Sequence, residues 1–187
     1  YGSNTDAYHM IHGKREIGDI RKIVFRTGHP GPIEIGCNEE FVEWLIDPVL
    51  NGGGALTDFG CYGANLTTWL MKGKTPISVS CITQQIKPNL YPKVEDEATI
   101  LLQYPKTQVI IQASWNWSHN MKEMDVYGKE GYIFCKNGQE MEIKESLEGK
   151  PFTKKANLLP KGLDDPFALL AKVIKEDYNL ASFDVSS

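Results

Sequence analysis

The chain has 187 residues, 20 basic and 24 acidic, for a formal net charge of −4; 41% are apolar and 24% charged. That balance describes one ordinary folded domain with enough apolar mass for its own core. It argues against a nucleic-acid partner, because the densest cationic run is Lys154-Lys155, and against a membrane partner, because no apolar run nears the ~20 residues of a span.

In chain order, Asp6 to Arg15 reads as a short helix with Ala7, Met10 and Ile11 on one side, and Gly18-Asp19 as a turn. Ile20 to Thr27 is rich in β-formers and is expected to be a strand, ended by Gly28-His29-Pro30-Gly31-Pro32. Glu39 to Leu50 has helical spacing through Phe41, Trp44 and Leu45, with Asp47-Pro48 ending or bending it. After Gly52-Gly53-Gly54 comes the clearest helix, Ala55 to Met71. Its expected buried stripe is Ala55, Phe59, Tyr62, Leu66 and Trp69, widened by Leu56, Ala64 and Leu70, and Lys72-Gly73 closes it.

The second half is β-rich. Ile77–Thr83, Glu97–Tyr104 and Val109–Trp117 read as strands, and Met124–Tyr127 and Tyr132–Cys135 as a hairpin. Glu140–Lys144 is a further candidate strand. Asp165-Pro166 starts a late helix with Phe167, Leu170 and Ile174 as its buried face. The pattern predicts an α+β domain: an open, mostly antiparallel sheet of consecutive strands with helices on one face. Ile111, Ala113, Trp115 and Trp117 share one strand face, and Ile110, Gln112, Ser114 and Asn116 the other. Helices cover only one, so the second face is available for contact between copies of the chain.

Cys37, Cys61, Cys81 and Cys135 form no C-x-x-C pair, and His9 and His12 stand three apart without a further ligand, so no metal site is expected. Unlinked thiols suit a reducing compartment, and a cytoplasmic setting is expected, with a periplasmic one left open. The chain starts at Tyr1 without methionine and stops at Ser187 in mid-phrase; both ends read as cuts, outside which a targeting segment could lie.

The segment that carries chemistry is Asn51 to Asn65, with Asp58 and Tyr62 four apart near a helix start. That spacing puts a carboxylate beside a phenol on one helix face. Local helix rules also account for both, with Asp58 as a first-turn dipole partner and Tyr62 as core. Gly60 weakens the helix by roughly 1 kcal/mol relative to alanine, which makes sense where something approaches the backbone closely. The triple glycine completes no G-x-G-x-x-G pattern and follows no clear strand, so it is not a dinucleotide loop.

The motifs Glu16-Ile-Gly-Asp-Ile20, Asp47-Pro48, Gly-Gly-Gly-Ala-Leu-x-Asp58-x-Gly60, Asp96-Glu97-Ala98-Thr99, Ala113-Ser114-Trp115 and Val126-Tyr-Gly-Lys-Glu-Gly131 occur in one order across nearly the whole chain. This ordered set resembles the C-terminal domain of the Gfo/Idh/MocA oxidoreductase family. Many members carry Asp-x-Gly-x-His. Tyr62 in the last position is similar to the branch of glucose–fructose oxidoreductase and the dihydrodiol and xylose dehydrogenases. The resemblance implies a separate Rossmann domain, absent from this chain, that binds NAD or NADP and supplies a lysine. It also implies that residues 1–187 are one substrate-binding and oligomerisation domain, holding no cofactor alone, with a homodimer or higher assembly through the free sheet face.

By the same resemblance, Asp58 binds hydroxyls of a carbohydrate-like substrate and Tyr62 passes a proton to or from the reacting oxygen. A phenol is a poor base at neutral pH without a neighbouring cation. Further candidates for substrate binding, read from the residues, are His29 on its loop, Arg26 at the strand end, Asn65 on the helix and Asn116 on its strand. Two functions fit: half of a sugar-type oxidoreductase, or a non-catalytic oligomerisation and ligand-binding module of the same fold.

Overall fold

In the computed structural model, which describes residues 1–14, 16–159 and 165–175, an eight-stranded sheet is built around one central strand. That strand, β1 (Ile20–Gly28), turns Ile23, Phe25 and Thr27 inward and leaves Val24 and Arg26 on the outer face. The others are β2 (Ser78–Gln84), β3 (Glu97–Gln103), β4 (Gln108–Ser114), β5 (Met121–Gly128), β6 (Tyr132–Cys135), β7 (Glu140–Lys144) and β8 (Phe152–Lys155). Their order is β2-β3-β4-β1-β5-β6-β7-β8. The sheet is open and mostly antiparallel, as expected, but its strands are not consecutive. β1 is inserted between β4 and β5 and runs parallel to β4, with Phe25 opposite Ile111. A parallel pair needs a long crossover, and the helices and β2–β3 between them supply it. β8 was not foreseen; its residues, Phe152-Thr-Lys-Lys155, do not alternate.

The helices are α1 (Gly2–His9), α2 (Glu39–Leu45), α3 (Ala55–Leu70) and α4 (Pro166–Ile174). α1 continues through a π-helical turn, Met10–Lys14, and buries Ala7, Met10 and Ile11 as predicted; Arg15 lies outside the described residues. These residues join Ile23, Phe25, Val109, Ile111, Met124, Val126, Ile133 and Ile143 in one core on the helix side of the sheet. Buried Asp6 ties the two ends of the described fold together. It accepts from the Asn157 backbone N–H at 3.1 Å and from Lys154 Nζ at 3.0 Å.

Three expectations need correction. α2 is shorter than Glu39–Leu50, stops before Asp47-Pro48, and buries Leu45 while Phe41 and Trp44 stay exposed. In α3 the buried line is Ala55, Phe59, Gly60, Gly63, Thr67 and Leu70, so Tyr62 is outside it and 46% exposed. Glycine decides the rotation of the helix. A Cβ at Gly60 would lie 3.2 Å from Ile100 Cδ1, and one at Gly63 2.5 Å from Ile111 Cγ2. α3 therefore rests backbone-first on the sheet, and its large side chains flank the contact. In α4, Asp165 caps as predicted, accepting from Phe167 N–H at 2.8 Å, but Phe167, Leu170 and Ile174 are exposed.

Trp115 belongs to the core beneath α3. It is fully buried beneath the helix side, with its ring centroid 4.9 Å from that of Tyr91. The exposed apolar residues on the outer face are Ile82 and Leu101 instead.

Because Ile111 is walled in on all sides, Gly63→Ala should lower stability by about 1–3 kcal/mol, the usual cost of overpacking, despite alanine's better helix propensity. The denaturant midpoint followed by circular dichroism measures it. An unchanged midpoint would mean that α3 is free to lift off the sheet.

Candidate active site

The first turn of α3 leaves N–H groups that need acceptors, and the chain supplies them from about 40 residues away. Glu95 Oε1 accepts from the N–H groups of Gly54 at 2.9 Å and Leu56 at 3.0 Å, and its carbonyl accepts from Ala55 N–H at 3.0 Å. A Cβ at Gly54 would collide with that carbonyl at 1.9 Å, which is why a glycine stands there. The helix N-terminus is thus spent on Glu95. This agrees with reading the triple glycine as something other than a phosphate loop.

With its cap provided elsewhere, Asp58 turns to the cleft. Its Oδ2 accepts from Trp115 Nε1 at 2.9 Å, a hydrogen bond from a fully buried indole that fixes the carboxylate. Asp58 and His29 line one cleft of about 550 Å³, with Phe41, Leu45 and Phe59 as an apolar shelf and Lys122 also on its lining. That volume suits a small ligand. Tyr62 and Asn65 line a smaller neighbouring pocket of about 260 Å³, together with Asn4, Thr27 and, again, Lys122. Lys122 Nζ stands 4.5 Å from the centre of the Tyr62 ring.

His29 leaves the end of β1, where its backbone N–H bonds Ser114 O at 3.1 Å. Its Nδ1 accepts from Gly31 N–H at 2.9 Å, so a neutral ring carries its proton on Nε2. The ring meets Phe59 edge-on at 4.8 Å. Burial is the main influence on its pKa and pulls it below the ordinary value. The Asp58 charge opposes that shift and Lys122 adds to it.

A second layer holds this loop. Lys87 Nζ donates to Pro30 O and Trp115 O, both at 2.6 Å, and pairs with Glu34. Glu34 also accepts from the Tyr91 hydroxyl. Burial raises the Glu34 carboxyl, but the Lys87 and Tyr91 hydrogen bonds outweigh it and hold it below the usual range.

The structure thus brings Asp58 and His29 to one cleft and Tyr62 and Asn65 to its neighbour. It does not bring Arg26 or Asn116 to either. Arg26 points from the outer sheet face and pairs with Asp125 at 2.7 Å and Glu123 at 3.4 Å. Asn116 donates to Asp96 O at 2.8 Å and Oδ1 at 3.1 Å, binding the 85–96 segment to the strand end. What comes close to Gly60 is the sheet. Sequence reasoning missed Lys122, Lys87, Glu95 and the Trp115–Asp58 bond. Only Lys122 left a signal, since extending β5 back to Met121 places it in the inward-facing row.

A family profile described as the GFO/IDH/MocA C-terminal domain matches residues 7–134. No curated protein matches the chain in sequence. Among solved structures, it is similar to aldose-aldose oxidoreductase from Caulobacter crescentus complexed with glycerol. The TM-score is 0.72 at 22% identity, covering 94% of this chain and 53% of that one. It is also similar to an inositol dehydrogenase homolog from Azotobacter vinelandii. Complexed with NAD+, that protein gives a TM-score of 0.70 at 21% identity, with 90% and 44% covered. Complexed with NADH and myo-inositol, it gives 0.67 at 17%, with 90% and 43% covered. The chain thus spans about half the length of these proteins. Among the described residues, no helix is long and apolar enough to cross a membrane.

His29 and His12 both sit below the ordinary histidine pKa of 6.5, each mainly through burial. Such groups bind protons more readily in the unfolded chain. Their stability contribution is complete above pH 6.5 and is lost as pH falls from there toward the folded values. The denaturant midpoint should therefore drop between pH 7.5 and 5.5, and less so in His29→Asn. An equal drop in the variant would mean that His29 is not held neutral by the fold.

Proposed function

The chain belongs to the GFO/IDH/MocA C-terminal domain family, and we propose that it is the substrate-binding half of an NAD(P)-dependent oxidoreductase acting on a CH–OH group of a sugar or related polyol. The observation that carries this reading is the Asp58 carboxylate, locked by the buried Trp115 indole and facing a cleft beside His29, with Tyr62 one turn further along α3. A carboxylate that cannot swing away is suited to accept hydrogen bonds from vicinal hydroxyls and fix which carbon is presented. His29 offers Nε2–H to a second oxygen. In this reading Tyr62 takes or returns the hydroxyl proton as the C–H bond breaks or forms. Phe41, Leu45 and Phe59 exclude water from one side.

The residues fit a nicotinamide brought by another domain. The cleft has an apolar shelf for a ring face, while the N–H groups at the start of α3 are taken by Glu95 and offer no phosphate cradle. When bound, the nicotinamide supplies the hydride acceptor or donor. The solved neighbours are named as oxidoreductases or dehydrogenases and are about twice this chain's length, which supports a cofactor domain in the whole protein and no redox turnover by residues 1–187 alone. The outer sheet face, with Ile82 and Leu101 exposed, is the surface for contact between copies.

Fluorescence titration with NADH and NADPH should show binding by the whole natural protein and none by this chain. In the whole protein, Tyr62→Phe and Asp58→Asn should each cut turnover by about 10²–10⁴ while leaving the melting temperature nearly unchanged. Loss of stability with turnover retained would make both residues structural and sink the mechanism.

A further inference from the structure

Lys122 breaks the pattern of the sheet face on which it lies. In β5, inward positions alternate with outward ones, and Met124 and Val126 are buried in the core. Lys122 is next in that same row, paired across the ladder with Thr27, whose side of β1 also faces inward. A cation is therefore turned to the helix side of the sheet at the point where the core opens into the site. It is common to both cavities: the 550 Å³ cleft that holds Asp58 and His29, and the 260 Å³ pocket that holds Tyr62 and Asn65. Its charge reaches His29 on one side and the Cys61 thiol on the other. Burial is the larger influence on each, and Lys122 favours the deprotonated form of both.

The other cations nearby are already engaged. Arg26 is held by Asp125 and Glu123, Lys136 by Glu142, and Lys87 by Glu34. Among the described residues, Lys122 forms no such ion pair, and its ammonium lies over the face of the Tyr62 ring. The small pocket adds neutral hydrogen-bonding groups around it: the Tyr62 hydroxyl, the Asn65 and Asn4 amides and the Thr27 hydroxyl; the carboxylate residue on its lining, Glu123, is paired with Arg26 at 3.4 Å. A single ammonium with hydroxyl and amide donors matches one monovalent, planar anion. It falls short of the several cations or helix N–H groups that a phosphate dianion gathers. Asp58 lines the neighbouring cleft but not this pocket, so an anion here avoids it while hydroxyls attached to that anion reach it.

We propose that the Lys122 pocket is a carboxylate subsite, and that the polyol this protein binds is an acid, an aldonate or uronate, rather than a neutral sugar. The idea rests on the reading of the Asp58 cleft as a sugar site and sharpens its specificity.

The test uses the whole natural protein. Binding of D-glucuronate and D-glucose, and of D-galacturonate and D-galactose, is measured by calorimetry. Oxidation of each with NAD+ and NADP+ is followed separately by absorbance. The acid of each pair should bind more tightly by roughly ten- to a hundredfold, the worth of one charge-assisted hydrogen bond. Lys122→Met should collapse that ratio toward one, Lys122→Arg should retain most of it, and raised salt should weaken only the acid. Equal affinity for acid and neutral partner, or a preference unchanged in Lys122→Met, overturns the subsite. Lys122-dependent binding of the acid without any oxidation leaves the subsite standing and overturns the redox reading instead.

Discussion

Everything in the site depends on how closely α3 lies on the sheet. Gly60 and Gly63 set that distance, because any side chain there would meet Ile100 or Ile111. At the resulting separation, the first turn of the helix stands next to the end of β4, and Asp58 comes within a hydrogen bond of the Trp115 indole. Lifting the helix by the width of a methyl group would break this bond and leave a buried donor unpaired, which costs more than the bond itself contributes. The glycines weaken the helix locally and are retained at the contact that positions the carboxylate.

Close approach also creates a problem that Glu95 solves. The start of α3 is pressed against the 94–96 segment, where water has no room to satisfy the free N–H groups, and one carboxylate oxygen and one carbonyl take them up. A helix capped from within would have drawn on its own first-turn side chains, Thr57 or Asp58. Supplying the cap from a distant loop frees Asp58 for a ligand. Lys87 extends the same logic, since it joins the His29 loop, through Pro30, to the carbonyl of the residue that holds Asp58.

How much of this was legible follows from which interactions are local. The α3 helix, the β6–β7 strands and the Asp165 cap were readable because period, turn chemistry and capping act within a few residues. The class of fold followed from the order of those elements. The rotation of α3 was misread, because a hydrophobic stripe counts side chains and gives glycine no weight, whereas packing here rewards the absence of a side chain. The parallel pairing of β1 with β4 was invisible for a related reason: strand partners more than 80 residues apart are chosen by shape, not by sequence spacing.

The candidate residues divide along the same line. Asp58, Tyr62 and Asn65 could be singled out together because they share a helix, and His29 because it ends a strand. Arg26 was misplaced by a single step of strand alternation. Its neighbours Phe25 and Thr27 point to the helices, so Arg26 must point away, where Asp125 and Glu123 neutralise it. The same alternation on β5 sends Glu123 outward to Arg26 and Lys122 inward. One strand pair thus sorts its charges, closing a salt bridge on the outer face and delivering an ammonium to the inner one. The local electrostatics of the site are in this sense a product of sheet register, and a one-residue slip of β5 would exchange the ammonium beside Tyr62 for a carboxylate.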